Sequence, residues 1–291
     1  MKSHGWFAVL LSCSLLGATS LALAQTKSAQ VVATDLEMAT GEKFEWAVQV
    51  YNKTTDCGGV MVKRGWVLTA AHCVAHRRRA KKPVWVFLAN QHDVLTPNGF
   101  VTVRWEKIHV HEKYGAVDNL MAPLRKYDIA LLEFDKVDDS PRDISIELGK
   151  VVDDKDLESG YVGVWRSSDP KVPNSPDALF FADVPVHPYD KCVCDVQGKH
   201  LSPKPLEDEH LQIEQFIWAG GEWTKFGQQQ YDSGSGLTTG TGNCAKLVGI
   251  SSQRGPWDRH MRVSKFEKEW IRKKMGDQTV TKPSAGICNV N

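Results

Sequence analysis

The apolar positions of this chain fall in short, separated runs. Trp46–Tyr51, Gly58–Val62, Trp66–Leu68, Val84–Leu88 and Ile129–Phe134 are brief and rich in β-branched or aromatic residues. Clusters of Pro, Gly, Asp and Asn separate them, and such runs read as strands. Strands at this spacing predict an all-β chain built as barrels or a sandwich. One stretch has a different period. In Ser264–Lys274, Phe266, Trp270 and Ile271 share a helical face while Lys, Arg and Glu take the rest. Ser264 is the expected N-cap of this C-terminal helix and Gly276 its stop. The polar stretches Asp135–Pro141 and Asp153–Ser159 are expected to hold the link between two halves.

The N-terminus has its own pattern. Lys2 precedes an almost wholly apolar or small run, Trp6–Leu23, and Ala22-Leu23-Ala24 supplies the small-x-small signal of a cleavage site. The expectation is a signal peptide over 1–24, cleaved before Gln25, and an exported, secreted or periplasmic protein. No later segment approaches the ~18 apolar residues of a membrane span. Removing the signal leaves about 267 residues, enough for one large all-β domain or two small ones. A net charge of +1 predicts neither a nucleic-acid nor a membrane partner, and a monomer is expected.

Seven cysteines become six once Cys13 leaves with the signal, an even number that reads as disulfides in an exported chain. Cys192, Cys194, Cys244 and Cys288 allow three pairings, of which a direct Cys192–Cys194 bridge is disfavoured by strain. Zinc is the rival use, but no second close pair or His pair accompanies them. His109-Val110-His111 reads as a strand with both side chains outward and no third ligand. No metal and no cofactor are expected.

Three motifs carry the chemistry. Leu68-Thr69-Ala70-Ala71-His72-Cys73, Tyr127-Asp128-Ile129-Ala130-Leu131-Leu132 and Asp232-Ser233-Gly234-Ser235-Gly236 present a His, an Asp and a Ser in that order. Together they resemble the trypsin/chymotrypsin family of serine proteases, and the likeness runs from about Phe44 to Ile271. The resemblance implies two six-stranded antiparallel β-barrels with a C-terminal helix, and an active site in the cleft between the barrels. The expected parts are a pro segment over 25–43, a barrel over 44–150 carrying His72 and Asp128, and a barrel over 151–291 carrying Ser233. It also implies a Cys57–Cys73 disulfide, pinning the strand before the histidine to the turn that carries it. In the implied triad Ser233 is the nucleophile, His72 the general base and Asp128 the residue that orients the imidazole. Ser235 takes over only if the loop shifts. Asp232 is the acid that pairs with a freed N-terminus after activation, with turn capping as its plainer alternative.

The departures from the family pattern bear on function. Tyr231 stands where a glycine normally gives its N–H, with that of Ser233, to the oxyanion hole. Tyrosine keeps an N–H but loses glycine's dihedral freedom and lack of bulk. Trp218 and Gln229 stand where the family usually has a disulfide. The usual activation start is absent, and Val31-Val32-Ala33-Thr34 is the nearest match. For substrate specificity the resemblance points to Gly227, Ser252 and Asp258 as pocket residues. An acid at 258 favours a basic side chain, while Gly227 at the base favours an apolar or small one.

Two further features stand out. His76–Lys82 is a basic run expected in the loop after His72, read as a solvated face, an exosite for acidic partners or a processing site. Asn52-Lys53-Thr54 is a glycosylation sequon if the source is eukaryotic. The reading is a serine endopeptidase acting on a protein or peptide. The alternative is a protease-shaped binding or regulatory protein with little activity.

Overall fold

The predicted apolar runs do become strands. The fold is a computed structural model, and the residues described are 36–39, 41–53, 56–88, 100–115, 126–135, 145–149, 157–167, 177–187, 214–221, 232–254 and 258–276. All of them lie in one unit, Ala33–Asn291. In chain order the strands begin with β1 (Glu37–Met38), β2 (Ala47–Tyr51), β3 (Asp56–Lys63), β4 (Trp66–Thr69) and β5 (Val84–Leu88). They continue with β6 (Phe100–Val103), β7 (Ile108–Val110), β8 (Ala130–Glu133), β9 (Glu147–Leu148) and β10 (Ser159–Ser167). The last are β11 (Asp177–His187), β12 (Phe216–Ala219), β13 (Gly236–Thr239), β14 (Lys246–Gln253) and β15 (Arg259–Arg262).

The first sheet has the order β6-β5-β2-β3-β4-β8-β7, antiparallel throughout. Its two edge strands are neighbours in sequence, parted only by Arg104 and the 3-10 turn Trp105–Lys107. The chain itself thus spans from one edge to the other, and the sheet curls into a barrel whose sixth strand is broken into β6 and β7. In the second sheet β11 pairs with both β10 and β12, which closes the ring β10-β13-β14-β15-β12-β11. Closure removes exposed edges. Strand β1 adds to β11, and β9 runs parallel to β14. The architecture is the predicted pair of antiparallel barrels.

Continuous burial along β3 and β4 explains their unbroken apolar runs. Val48, Val60, Val67, Leu68, Leu131 and Leu132 are fully or almost fully buried in the first barrel. The same cluster continues through Phe216, Leu247, Ile250 and Met261 to the C-terminal helix, so one core joins both barrels. A smaller cluster of Val162, Val164, Val184, Ile217 and Leu237 fills the second barrel. Each such side chain contributes roughly 1.5–3 kcal/mol.

Two longer helical segments and the short 3-10 helices Gly41–Phe44 and Gly242–Cys244 complete the described elements. α1 (Ala71–Arg79) follows β4 directly and contains most of the basic run that the sequence reading put in a loop. Its buried residues, Ala71, Cys73, Val74, Ala75 and Arg77, include a charged one, so no apolar stripe announced it. Arg77 turns inward, and its Nε and Nη2 donate to Pro83 O at 3.0 and 2.9 Å. The four basic residues of the last turn suit the negative end of the helix dipole.

α2 (Val263–Phe266) continues as a wider turn over Glu267–Arg272 and buries Phe266, Trp270 and Ile271 as predicted. Its start differs from expectation. Arg262, not Ser264, precedes the first turn, and no side chain caps it. Instead Arg262 donates to Glu214 O and Phe216 O. Gly276 ends the segment with φ +65°, the left-handed stop expected of it.

Alternation along β7 corrects another expectation. Ile108 and Val110 are buried, so His109 and His111 share the opposite face. That face is covered rather than outward at His111. Its ring stacks on Tyr127 at 4.9 Å, with Phe266 and Trp270 alongside. His109 stacks on Trp66 and meets Glu133 at 3.0 Å. Of the two polar linker stretches, 136–141 and 153–156 lie outside the described residues, and Ser159 opens β10.

Candidate active site

His72 is the second residue of α1, where a helix leaves its first N–H groups without intrahelical partners. Ala70 offers no side-chain cap. Asp128 fills that role from just before the neighbouring strand β8: its Oδ1 accepts the His72 backbone N–H at 2.8 Å. Its Oδ2 lies 2.7 Å from His72 Nδ1 and accepts the Ser252 hydroxyl at 2.6 Å. A carboxylate can only accept, so Nδ1 carries the proton and Nε2 is left as the basic nitrogen.

The local fold holds Asp128 in place. It follows Tyr127, whose φ is +56°, an uncommon value for a bulky residue, and the Ile129 N–H closes back on Tyr127 O at 2.8 Å. The Tyr127 N–H is taken by Gln215 Oε1 at 3.2 Å. Asp128 is fully buried. Burial pushes its carboxyl up, but the attraction of His72 and the hydrogen bonds from the His72 ring, Ser252 and the His72 N–H together hold it below the ordinary range.

Ser233 lies on the turn before β13. Gly58 N–H donates to Ser233 O at 2.8 Å, and Gly234 N–H to Ser251 O at 2.7 Å. The turn is thus bonded to β3 of the first barrel and β14 of the second. Gly234 has φ +87°, and a Cβ there would collide with Gly58 O and Thr69 Oγ1, so only glycine fits. Ser233 is half-buried, whereas Asp232 and Ser235 are buried. Ser233 is therefore the accessible hydroxyl of the pair 233 and 235. Among the described residues no hydrogen bond joins Ser233 Oγ to His72. His72 Nε2 lies 3.8 Å from Cys73 Sγ.

The Cys57–Cys73 disulfide is present, tying β3 to the first turn of α1 beside His72. The sulfurs and the His72 ring form a close cluster of metal-ligand types. The bridge consumes both thiolates, so these residues do not fit a metal ion. Cys244 is also disulfide-bonded, and its partner lies outside the described residues.

The other expected site residues divide. Tyr231 and Gly227 lie outside the described residues, as do Gln229, Val31–Thr34 and the cysteines at 192, 194 and 288. Ser252, read as a pocket residue, directs its hydroxyl to Asp128; its partner is 124 positions away, so only the fold reveals the bond. Asp258 is buried beside Arg259, and its carbonyl accepts from Ala219 N–H. Trp218 is buried, with Arg259 over its ring at 5.2 Å. The sequence reading missed His260. It is buried, with Nδ1 3.1 Å from Ser251 Oγ and Nε2 3.4 Å from Ala219 O, and Ser251 O in turn accepts from Gly234 N–H. Burial pulls its pKa down to about 4, against the opposing pull of the Ala219 carbonyl. Asn52 does not fit the sequon reading. It is fully buried, and its Nδ2, the atom a glycan would occupy, donates to Cys73 O at 2.8 Å.

The family model described as Trypsin matches residues 34–266. Complement C1s subcomponent of Sus scrofa is 28% identical over 251 residues, 80% of this chain and 34% of that protein. Complement factor I of Rattus norvegicus is 35% identical over 95 residues, 32% of this chain and 14% of that one. Kallikrein-10 of Homo sapiens is 34% identical over 91 residues, 30% of each chain. The matches thus span about a third or less of the length of these curated relatives. Among solved structures, neuropsin, a serine protease expressed in the limbic system of mouse brain, is similar with a TM-score of 0.56. That likeness has 21% identity and covers 82% of this chain and 98% of neuropsin. With the model match spanning most of the sequence, the chain belongs to the trypsin family.

Proposed function

We propose that this protein is an exported serine endopeptidase that cleaves protein substrates through Ser233, His72 and Asp128. The observation that carries the reading is the pair of contacts at Asp128, which present the His72 ring with Nε2 as a base. Ser233 Oγ attacks the scissile carbonyl as its proton passes to Nε2, and the imidazolium then protonates the leaving amine. Asp128 stabilises that imidazolium, while Ser252 and the His72 N–H hold the carboxylate still. The Ser233–His72 contact forms when substrate closes the site, since catalytic hydrogen bonds often tighten only in the complex. The N–H groups of Tyr231 and Ser233 receive the oxyanion. Export rests on the signal-like run before Gln25. Among the described residues no helix is long and apolar enough to cross a membrane.

Hydrolysis of an unstructured protein substrate by the purified mature chain tests this reading. Ser233→Ala and His72→Ala should each abolish it with the fold intact, and undiminished turnover in either would reject the assignment. The alternative is a binding or regulatory role with little turnover, favoured by Tyr231 at the oxyanion position. On that reading the hole is misformed at rest, and Tyr231→Gly raises turnover tenfold or more, about 1.4 kcal/mol of barrier.

A further inference from the structure

The basic run after His72 is not absorbed by the catalytic reading, and the fold gives it a shape. Arg78 and Arg79 end α1, and Lys81 and Lys82 form the turn after it. Lys53, in the turn between β2 and β3, joins them through Trp85, whose ring lies under both Lys53 Nζ at 5.4 Å and Arg77 Cζ at 5.9 Å. Lys81 Nζ sits 5.7 Å from the centre of the Trp105 ring. Two indole rings thus hold the ends of the patch, and Arg77 anchors its middle through Pro83 O. Lys53, Arg78, Arg79, Lys81 and Lys82 are all exposed.

The patch differs from other cations of the molecule in its partners. Lys107, Lys246, Lys265, Arg272 and Lys274 each pair with a glutamate. Among the described residues, none of the five patch cations makes an ion pair. Five cations without an ion pair among the described residues stand out on a chain whose net charge is only +1.

Position points to the partner. From His72 to Arg79 the helix rises about 10 Å. About three residues of extended peptide span the same distance. A polypeptide held at Ser233 and His72 therefore has the patch within reach of its flanking sequence. A carboxylate-rich flank then binds at high effective concentration, because the active site already tethers it. We propose that Lys53, Arg78, Arg79, Lys81 and Lys82 form a docking surface for an acidic segment of the protein substrate. The proposal rests on the endopeptidase reading, and its binding arm is independent of turnover.

In the binding arm, a fluorescein-labelled peptide ending in eight glutamates is titrated into full-length mature Ser233→Ala. Binding should weaken at least tenfold in the background of R78E/R79E/K81E/K82E, and should weaken steadily with added salt. The milder R78Q/R79Q/K81Q/K82Q set keeps the test decisive if the reversals unfold the protein, and should give an intermediate loss. Equal affinity in parent and variants overturns the proposal. So does a sulfated oligosaccharide that binds the patch while the glutamate peptide does not, which would make the surface a glycan site. In the turnover arm, a neutral peptide substrate is compared with the same peptide extended by eight glutamates. The extension should lower KM about tenfold without raising kcat in the parent protein, and should lower it little in the charge-reversed one. The neutral peptide should be cut equally by both. Cleavage of the neutral peptide with no effect of the extension overturns the docking surface and leaves the endopeptidase reading standing. With no cleavage of either peptide the endopeptidase reading fails, and the binding arm alone decides the surface.

Discussion

His260 should make the fold acid-sensitive in a defined pH window. The carbonyl of Ala219 can only accept, so Nε2 carries the proton and Nδ1 accepts from the Ser251 hydroxyl. A second proton would charge a fully buried ring. The folded-state pKa is pulled from 6.5 to about 4, chiefly by burial. Between those values the unfolded chain binds a proton that the folded chain refuses, so stability rises with pH across the window and is lost as pH falls through it. A shift of that size is equivalent to roughly 3 kcal/mol in full, most of which is lost between pH 7.5 and pH 4.5. In His260→Gln the amide can donate to Ala219 O and its oxygen can accept from Ser251, while nothing titrates. Denaturant unfolding followed by tryptophan fluorescence at the two pH values measures the difference. The parent protein should lose roughly 2–3 kcal/mol more than His260→Gln, since the remaining titrating groups are common to both. Parallel losses, within about 0.5 kcal/mol, would refute this account of the buried pair.

Two further substitutions probe the site. Ser235 Oγ is buried without a hydrogen-bond partner and packs where a Cβ on Gly58 would lie. Ser235→Ala should therefore stabilise the fold by about 1 kcal/mol, seen as a higher denaturation midpoint with turnover unchanged. A loss of turnover would instead point to Ser235 as the nucleophile. Ser252→Ala removes a hydrogen bond to the buried Asp128 carboxylate and should cost about 2 kcal/mol of stability. That bond favours the ionised form, so its loss raises the Asp128 pKa, which NMR titration of the Asp128 carboxyl signal reads. An unmoved Asp128 titration would show that Ser252 only packs there.

What the sequence revealed and what it hid follow from how far each interaction reaches. β2 to β5 and β8 were legible because their apolar runs are local and fill the core of the first barrel. His72, Asp128 and Ser233 were legible from their motifs. Their couplings were not, since Ser252 meets Asp128 only after two barrels come together. The basic half of α1 read as loop because its inward residue is Arg77, whose charge is satisfied by a carbonyl rather than by an apolar face. Asn52 looked like a surface sequon because burial by the Cys73 carbonyl is a tertiary fact. Tyr127 gives no sign of its positive φ, which glycine or asparagine would have signalled.

The central claim is that Ser233 is an activated nucleophile. The most direct measurement is fluorophosphonate labelling of the purified mature protein, with the modified peptide located by mass spectrometry. The account predicts one stoichiometric adduct, on Ser233, lost in Ser233→Ala, retained in Ser235→Ala and lost in His72→Ala. An unlabelled folded protein, or an adduct on any other residue, would contradict it.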